Sequence, residues 1–211
     1  MICTELASEK TDDWENLARI FSSAPTIPFA QHWAKHVEPA FLPAGVRIGW
    51  RADRFCYFAE LRDNFPTTRA RVRNDPLWEL GDVLELFAGV KGDPAYVEYH
   101  TAPNGRVLQL LWPDPTALAT VAGVDDLRRF SVTDDAAVAR ARIVEGGWQV
   151  YGELPASSLP GAAAPLAGQT WQVSFGRYDY HADGSFTLSS TSPLSKPSYH
   201  RRHEWREIGF R

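Results

Sequence analysis

The sequence predicts an all-β protein with one short helix outside its sheet. Three observations lead there. From Val46 onward the chain breaks into short runs rich in Val, Phe, Tyr and Trp, separated by Gly, Pro and Asp, which is the punctuation of successive strands and turns. Eight Trp, seven Tyr and eleven Phe stand beside a single Met, a balance that suits a pleated, half-buried surface. Helical spacing is confined to "TDDWENLARIFSS", where Trp14, Leu17, Ala18 and Phe21 share a face behind the capping candidates Thr11 and Asp12.

The strand candidates follow in order: "VRIGWRADRFCYFAELRD", "DVLELFAGV", "AYVEYHT", "RVLQLLW", "ARARIVEGGWQVYGEL", "WQVSFGRYDY" and "GSFTLSS". The first reads as a hairpin turning at Ala52-Asp53 and the fifth as one turning at Gly146-Gly147, while "TAPNGRVL" carries a further Asn-Gly turn. The stretch "PASSLPGAAAPLAG", Pro155 to Gly168, has linker composition, but residues 169–211 are too few for a domain of their own, so it reads as a long internal loop. A single domain over 1–211 is expected, with 1–45 forming the helix and an extended cover and 46–211 the β-rich body.

Composition narrows the function classes. A net charge of −4 gives no polyanion-binding signature, so nucleic acid is not an expected partner. No run reaches the length of a membrane span and the N-terminus lacks a basic start followed by an apolar run. The chain as written is therefore expected in the cytoplasm, or outside the cell if a leader was removed. Cys3 and Cys56 do not make a disulfide framework, and the sole Met, Met1, leaves no axial methionine for a haem. Glycine-rich phosphate loops, a G-x-S-x-G elbow, an H-E-x-x-H pair and C-x-x-C spacing are all missing. His32 and His36 in "HWAKH" stand four apart without the glutamate of a zinc protease, and "HRRH" reads as polar surface. "DYHADG" alternates Asp179, His181 and Asp183 before Gly184 as a calcium loop would, but lacks the bidentate glutamate, and an Asp-Gly hairpin turn explains it better. No cofactor is expected, calcium being the one left open.

The richest constellation is "NDPLWELGDVLELFAGVKGDPAYVEYHT". If Leu84 and Leu86 face the same core as Val97 and Tyr99, parity puts Glu85 on the other face with Tyr96, Glu98 and His100. Pairing Glu85 with Glu98 would set like charges side by side, whereas a shift of two residues sets it opposite His100, and that register is expected. Such a face can hydrogen-bond hydroxyls while a ring covers the apolar side of a sugar. The competing reading is a sheet face covered by the N-terminal segment.

The order of these motifs resembles the family 9 carbohydrate-binding modules and their DOMON-like β-sandwich relatives. The resemblance rests on "FCYFAELRD", "DPLWELGDVLELF", "YVEYHTAPNG", "GGWQVYGELPASSL", "WQVSFGRYDY" and the closing "LSSTSPLSKPSYHRRHEWREIGF", and covers about Val46 to Phe210. It implies an antiparallel β-sandwich, of jelly-roll or immunoglobulin-like type, whose sugar site combines stacking aromatics with charged groups. By position Trp78 and Glu85 match a ring and a carboxylate of that site, His100 falls where a basic side chain belongs, and Trp171 and Arg177 fall on the later motif. With Glu98 from the parity argument, these six are the expected ligand-binding residues of a non-catalytic saccharide binder, a role in carbohydrate catabolism. Ser174 stands where the motif usually has Asn, and Ala102 replaces a polar residue. Two alternatives therefore stay open: an O-glycosyl hydrolase using Glu85 and Glu98, although nothing nearby in the sequence obviously raises one pKa, and a module whose sugar site has decayed into an interaction surface. The sequence leaves the oligomeric state undetermined.

Overall fold

The computed structural model describes residues 1–7, 13–133 and 136–211. Its strands are β1 (Ile2–Glu5), β2 (Ile27–Pro28), β3 (Ala44–Arg51), β4 (Arg54–Arg62), β5 (Val83–Val90), β6 (Tyr96–Thr101), β7 (Val107–Trp112), β8 (Val138–Val144), β9 (Gly147–Pro155), β10 (Thr170–Tyr180), β11 (Phe186–Ser190) and β12 (Arg206–Phe210). Helix α1 covers Trp14–Ile20 and a single turn, α2, covers Leu77–Leu80. Among the described residues no helix is long and apolar enough to cross a membrane.

The mostly-β expectation holds, but the strands do not form two separate antiparallel sheets. They run in one nearly closed, barrel-like path, β7-β6-β5-β10-β12-β1-β3-β4-β9-β8, with β11 beside β10 and β2 beside β3. The strand that joins the halves is β1: Ile2 and Cys3 pair with Gly209 and Phe210 of β12, then Thr4 and Glu5 pair with Gly49 and Trp50 of β3, parallel on both sides. Residues 1–45 are thus more than a cover. Four residues are too short for a legible period, yet β1 occupies two edges that would otherwise leave their peptide groups unpaired.

Alternation along the strands divides the apolar residues between two cores. The inner one brings Val46, Phe55, Tyr57 and Val150 from one half of the path against Leu84, Leu86, Val97, Tyr99, Trp171 and Phe175 from the other. The second lies on the outer face of β5, β6 and β7, where Phe87, Tyr96 and Trp112 pack on Leu194, Tyr199 and Trp205. Helix α1 buries Leu17 and Ile20 against Phe58 and Tyr151, outside the β4 and β9 pair as expected. The predicted caps Thr11 and Asp12 lie outside the described residues; Asp13 caps the helix by accepting a hydrogen bond from the Glu15 N–H at 3.0 Å.

The turns follow their residues. Ala52 takes a positive φ of 49° in the β3–β4 turn. The β8–β9 turn is Glu145-Gly146 rather than Gly-Gly, since Gly147 is already paired with Val144. The stretch from Pro155 to Gly168 is an internal loop that buries Leu159 and Leu166 in the inner core. Less expected are two 3₁₀ turns, Ala117–Thr120 and Val124–Phe130, and the irregular run 192–205. These segments supply most of the cover of the outer face of β5–β7, and the N-terminal segment adds Trp33 to it.

Candidate functional site

The β5–β6 register is the one that charge repulsion selects: Glu85 lies opposite His100, and Phe87 opposite Glu98. Because Leu84 and Leu86 fill the inner core, Glu85, Glu98 and His100 all emerge on the outer face. There His100 Nε2 lies 2.7 Å from Glu98 Oε1, and its Nδ1 lies 3.5 Å from Glu85 Oε1. Trp112 Nε1 donates to the other Glu98 oxygen at 2.7 Å. His200 stands behind, with Nδ1 2.9 Å from the Tyr96 hydroxyl and Nε2 3.6 Å from Glu98 Oε2.

Above this floor is an open cavity of about 390 Å³. Its walls are the rings of Trp78, Trp112, Tyr178 and Tyr199 with His200, and its roof is Leu118, Val121, Val124 and Leu127 of the segment 117–130. Pro76 ahead of α2 stops the chain so that Trp78 enters half-buried, its ring edge-on to His100 at 5.7 Å. The Tyr180 hydroxyl donates to the Trp78 carbonyl at 2.6 Å and holds that turn. Tyr199 can approach β10 because position 176 is glycine, where a Cβ would come within 2.6 Å of the ring; its hydroxyl donates to the Arg177 carbonyl at 2.7 Å. The segment carrying Tyr199 and His200 is tied to the sheet by Arg202, whose guanidinium donates to the carbonyls of Val90, Pro94 and Ala95.

The two carboxylates sit in opposite electrostatic states. Burial pushes Glu85 up to about 8, with Glu98 adding to the shift and His100 opposing it. Burial also acts to raise Glu98, but the two histidines and the hydrogen bonds from His100 and Trp112 outweigh it and hold Glu98 below its ordinary value. His100 is raised: the two carboxylates overcome the burial that would discharge it. Burial lowers His200, His100 adds to that, and Glu98 opposes it.

Of the six residues expected from the sequence, Trp78, Glu85 and Glu98 line the cavity and His100 lies directly behind the carboxylates. Trp171 and Arg177 do not join them. Trp171 is fully buried in the inner core against Phe55 and Phe210, because it shares parity with Val173 and Phe175. Arg177, on the same face, is 1% exposed and bonded to Asp179 at 2.9 Å and to the carbonyls of Arg62 and Leu42. The ring-bearing lining residues that the sequence did not assign to the site are Trp112, Tyr178, Tyr199 and His200, the last of them read there as polar surface. Tyr178 was within reach of parity in "WQVSFGRYDY", whereas Tyr199 and His200 come from an irregular segment with no period to read.

The calcium reading has a different outcome. Asp183 caps its own turn through Ser185, and His181 meets Thr187. Asp179 turns inward, where Asp63, Asp82 and Asp179 each bring an oxygen within 4.8 Å of the others. The Arg177 guanidinium sits among them and supplies the positive charge. Burial still pushes Asp82 up to about 7 and Asp179 up to about 6. A guanidinium inside the cluster is a poor fit for a cation that wants six or more oxygens. His32 and His36 belong to no cluster of metal-ligating side chains among the described residues.

No family model matches the sequence, and no curated protein does. Solved structures match over essentially the whole chain. A protein from Bacteroides uniformis ATCC 8492, proposed to bind carbohydrate, superposes with a TM-score of 0.78 at 15% identity, covering 100% of this chain and 98% of its own. A family 9 carbohydrate-binding module from Caldicellulosiruptor kristjanssonii, in complex with cellotriose, superposes with a TM-score of 0.62 at 13% identity over 99% of this chain and 92% of its own. The glucose complex of a family 9 module from the same organism gives 0.59 at 13% identity, with coverage of 100% and 95%. The chain has the fold of a family 9 carbohydrate-binding module.

Proposed function

We propose, from that fold and the cleft on its outer face, that the protein is a non-catalytic saccharide-binding module. Its strand path is then a sandwich bent until β1 stitches the two layers together. Trp78 stacks on the apolar face of a sugar ring, Glu85 and the remaining lone pairs of Glu98 bond its hydroxyls, and His100 holds Glu98 from behind. Trp171 and Arg177 serve the fold rather than the ligand. The observation that carries this reading is the open cavity of about 390 Å³ beside the half-buried Trp78: a decayed site would have its groove filled by the protein's own side chains. Titration with glucose and cellotriose, followed by tryptophan fluorescence and calorimetry, should give binding in the millimolar range or tighter, and Trp78→Ala should abolish it. No binding of any saccharide would sink the proposal.

One observation favours a second reading. A carboxyl raised to about 8 next to one held low is the split that acid–base chemistry uses, so burial supplies what the sequence did not reveal. Glu98, however, has one oxygen taken by His100 and the other by Trp112, which leaves it poorly placed to attack a sugar or activate water. Turnover of a chromogenic glycoside panel, lost in Glu85→Gln, would establish the hydrolase instead.

A further inference from the structure

Glu85 lacks what Glu98 has. Two carboxylates are buried on this face with one imidazole between them, and Glu98 takes the close contact, at 2.7 Å, together with the indole N–H of Trp112. Glu85 receives only the 3.5 Å approach of His100 Nδ1, an atom that itself has no hydrogen-bond partner. Among the described residues no hydrogen bond reaches the Glu85 carboxylate, although Glu85 is 3% exposed and the surface it keeps faces the cavity. Burying an ionised carboxylate without donors or counter-charge is costly.

Nothing else in the cleft makes up the shortfall. The other titratable groups of its lining are Glu98, His200, Tyr178 and Tyr199, and no Lys or Arg lines it among the described residues. The arginines of the roof are engaged elsewhere, Arg128 by Asp125 and Arg129 by Thr120. The walls, by contrast, are four electron-rich rings, Trp78, Trp112, Tyr178 and Tyr199, the surface on which a desolvated cation gains most. We infer that the saccharide taken by this cleft carries a free amine, whose ammonium group docks on Glu85 with the aromatic rings around it. This inference rests on the saccharide reading above and adds the charge of the ligand to it.

An ammonium brings what is missing: up to three N–H donors and one positive charge, in place of the proton that Glu85 otherwise retains. A neutral sugar offers the donors without the charge, and an acidic sugar would bring a further negative charge beside two carboxylates with no Lys or Arg in the lining to offset it among the described residues. Binding of the amine should therefore ionise Glu85 and release its proton.

The test is calorimetric titration, at a pH about one unit below 8, with the glucosamine disaccharide, its N-acetylated form, cellobiose and tetramethylammonium, each in two buffers of different ionisation enthalpy. The expected result is that the glucosamine disaccharide binds roughly tenfold or more tightly than cellobiose and releases about one proton per molecule bound. In Glu85→Gln the proton release should vanish, and the glucosamine disaccharide should bind no more tightly than cellobiose does to the same variant. Equal affinity for amine and neutral disaccharides, or an amine preference that survives in Glu85→Gln, overturns the inference and leaves saccharide binding standing. Binding of tetramethylammonium alone, with no disaccharide bound, overturns the saccharide reading and the inference with it, as does silence from all four ligands.

Discussion

Replacing Glu85 by Gln should keep the fold and make it more stable in alkaline solution, before any ligand is considered. The wild-type carboxyl is pushed up to about 8 by burial, against an ordinary value of 4.5 in the unfolded chain. Between those values the folded protein holds a proton that the unfolded chain has released, so stability falls as pH rises through that window. Each unit is worth about 1.4 kcal/mol. Raising the pH from about 5.5 to about 8 therefore costs the wild type at most about 3 kcal/mol. His100, itself raised, adds its own fall in stability above its ordinary value of 6.5 in both proteins, so the part that separates them is about 1–3 kcal/mol. Glutamine has the shape of the protonated acid and does not titrate, so Glu85→Gln should escape the loss. The assay is the denaturant midpoint of both proteins across that range, or the thermal midpoint, which should separate by about 2–4 °C per kcal/mol in a chain of this size. Stability curves that run parallel over the whole range, or a variant that loses ground at alkaline pH, would refute the reasoning.

Arg202→Met removes the donors to three backbone carbonyls and should cost about 2–3 kcal/mol; limited proteolysis should then cut between Thr191 and Trp205 first, and saccharide affinity should fall with the loss of a fixed Tyr199. Gly176→Ala places a Cβ where the Tyr199 ring now lies, for a cost of about 1–3 kcal/mol, read as a lower thermal midpoint and a weaker ligand titration. Calcium or a chelator should leave the thermal midpoint unchanged, because Arg177 already neutralises Asp63 and Asp179; a rise with calcium would show that the ion displaces the guanidinium.

The parts of the site that could be read from the sequence were those governed by strand parity and by charge. Glu85 and Glu98 are forced apart by two residues because like charges resist direct pairing, and the structure pairs Glu85 with His100 accordingly. Parity also warned against Trp171 and Arg177: both alternate with Gln172, Ser174 and Gly176 and so point to the inner core, and only the family pattern suggested otherwise. Ser174 and Ala102, which raised the question of a decayed site, are fully buried and do not line the cleft. What stayed hidden was irregular structure. The roof at residues 117–130 and the wall at 199–200 are placed by long-range contacts such as those of Arg202, and no local period announces them. The strand β1 escaped for a related reason, since its identity depends on two partners far along the chain.

That strand also sets the order in which the molecule can be completed. The Gly209 N–H donates to the Met1 carbonyl at 2.9 Å, joining the two halves of the strand path through residues far apart in sequence. During synthesis Thr4 and Glu5 can find β3 once its residues have emerged, but Ile2 and Cys3 must wait for β12. Closing so long a loop is paid for in chain entropy before any contact repays it, which makes pairing across it intrinsically slow. Until then the facing edges of β3 and β12 are exposed to other chains.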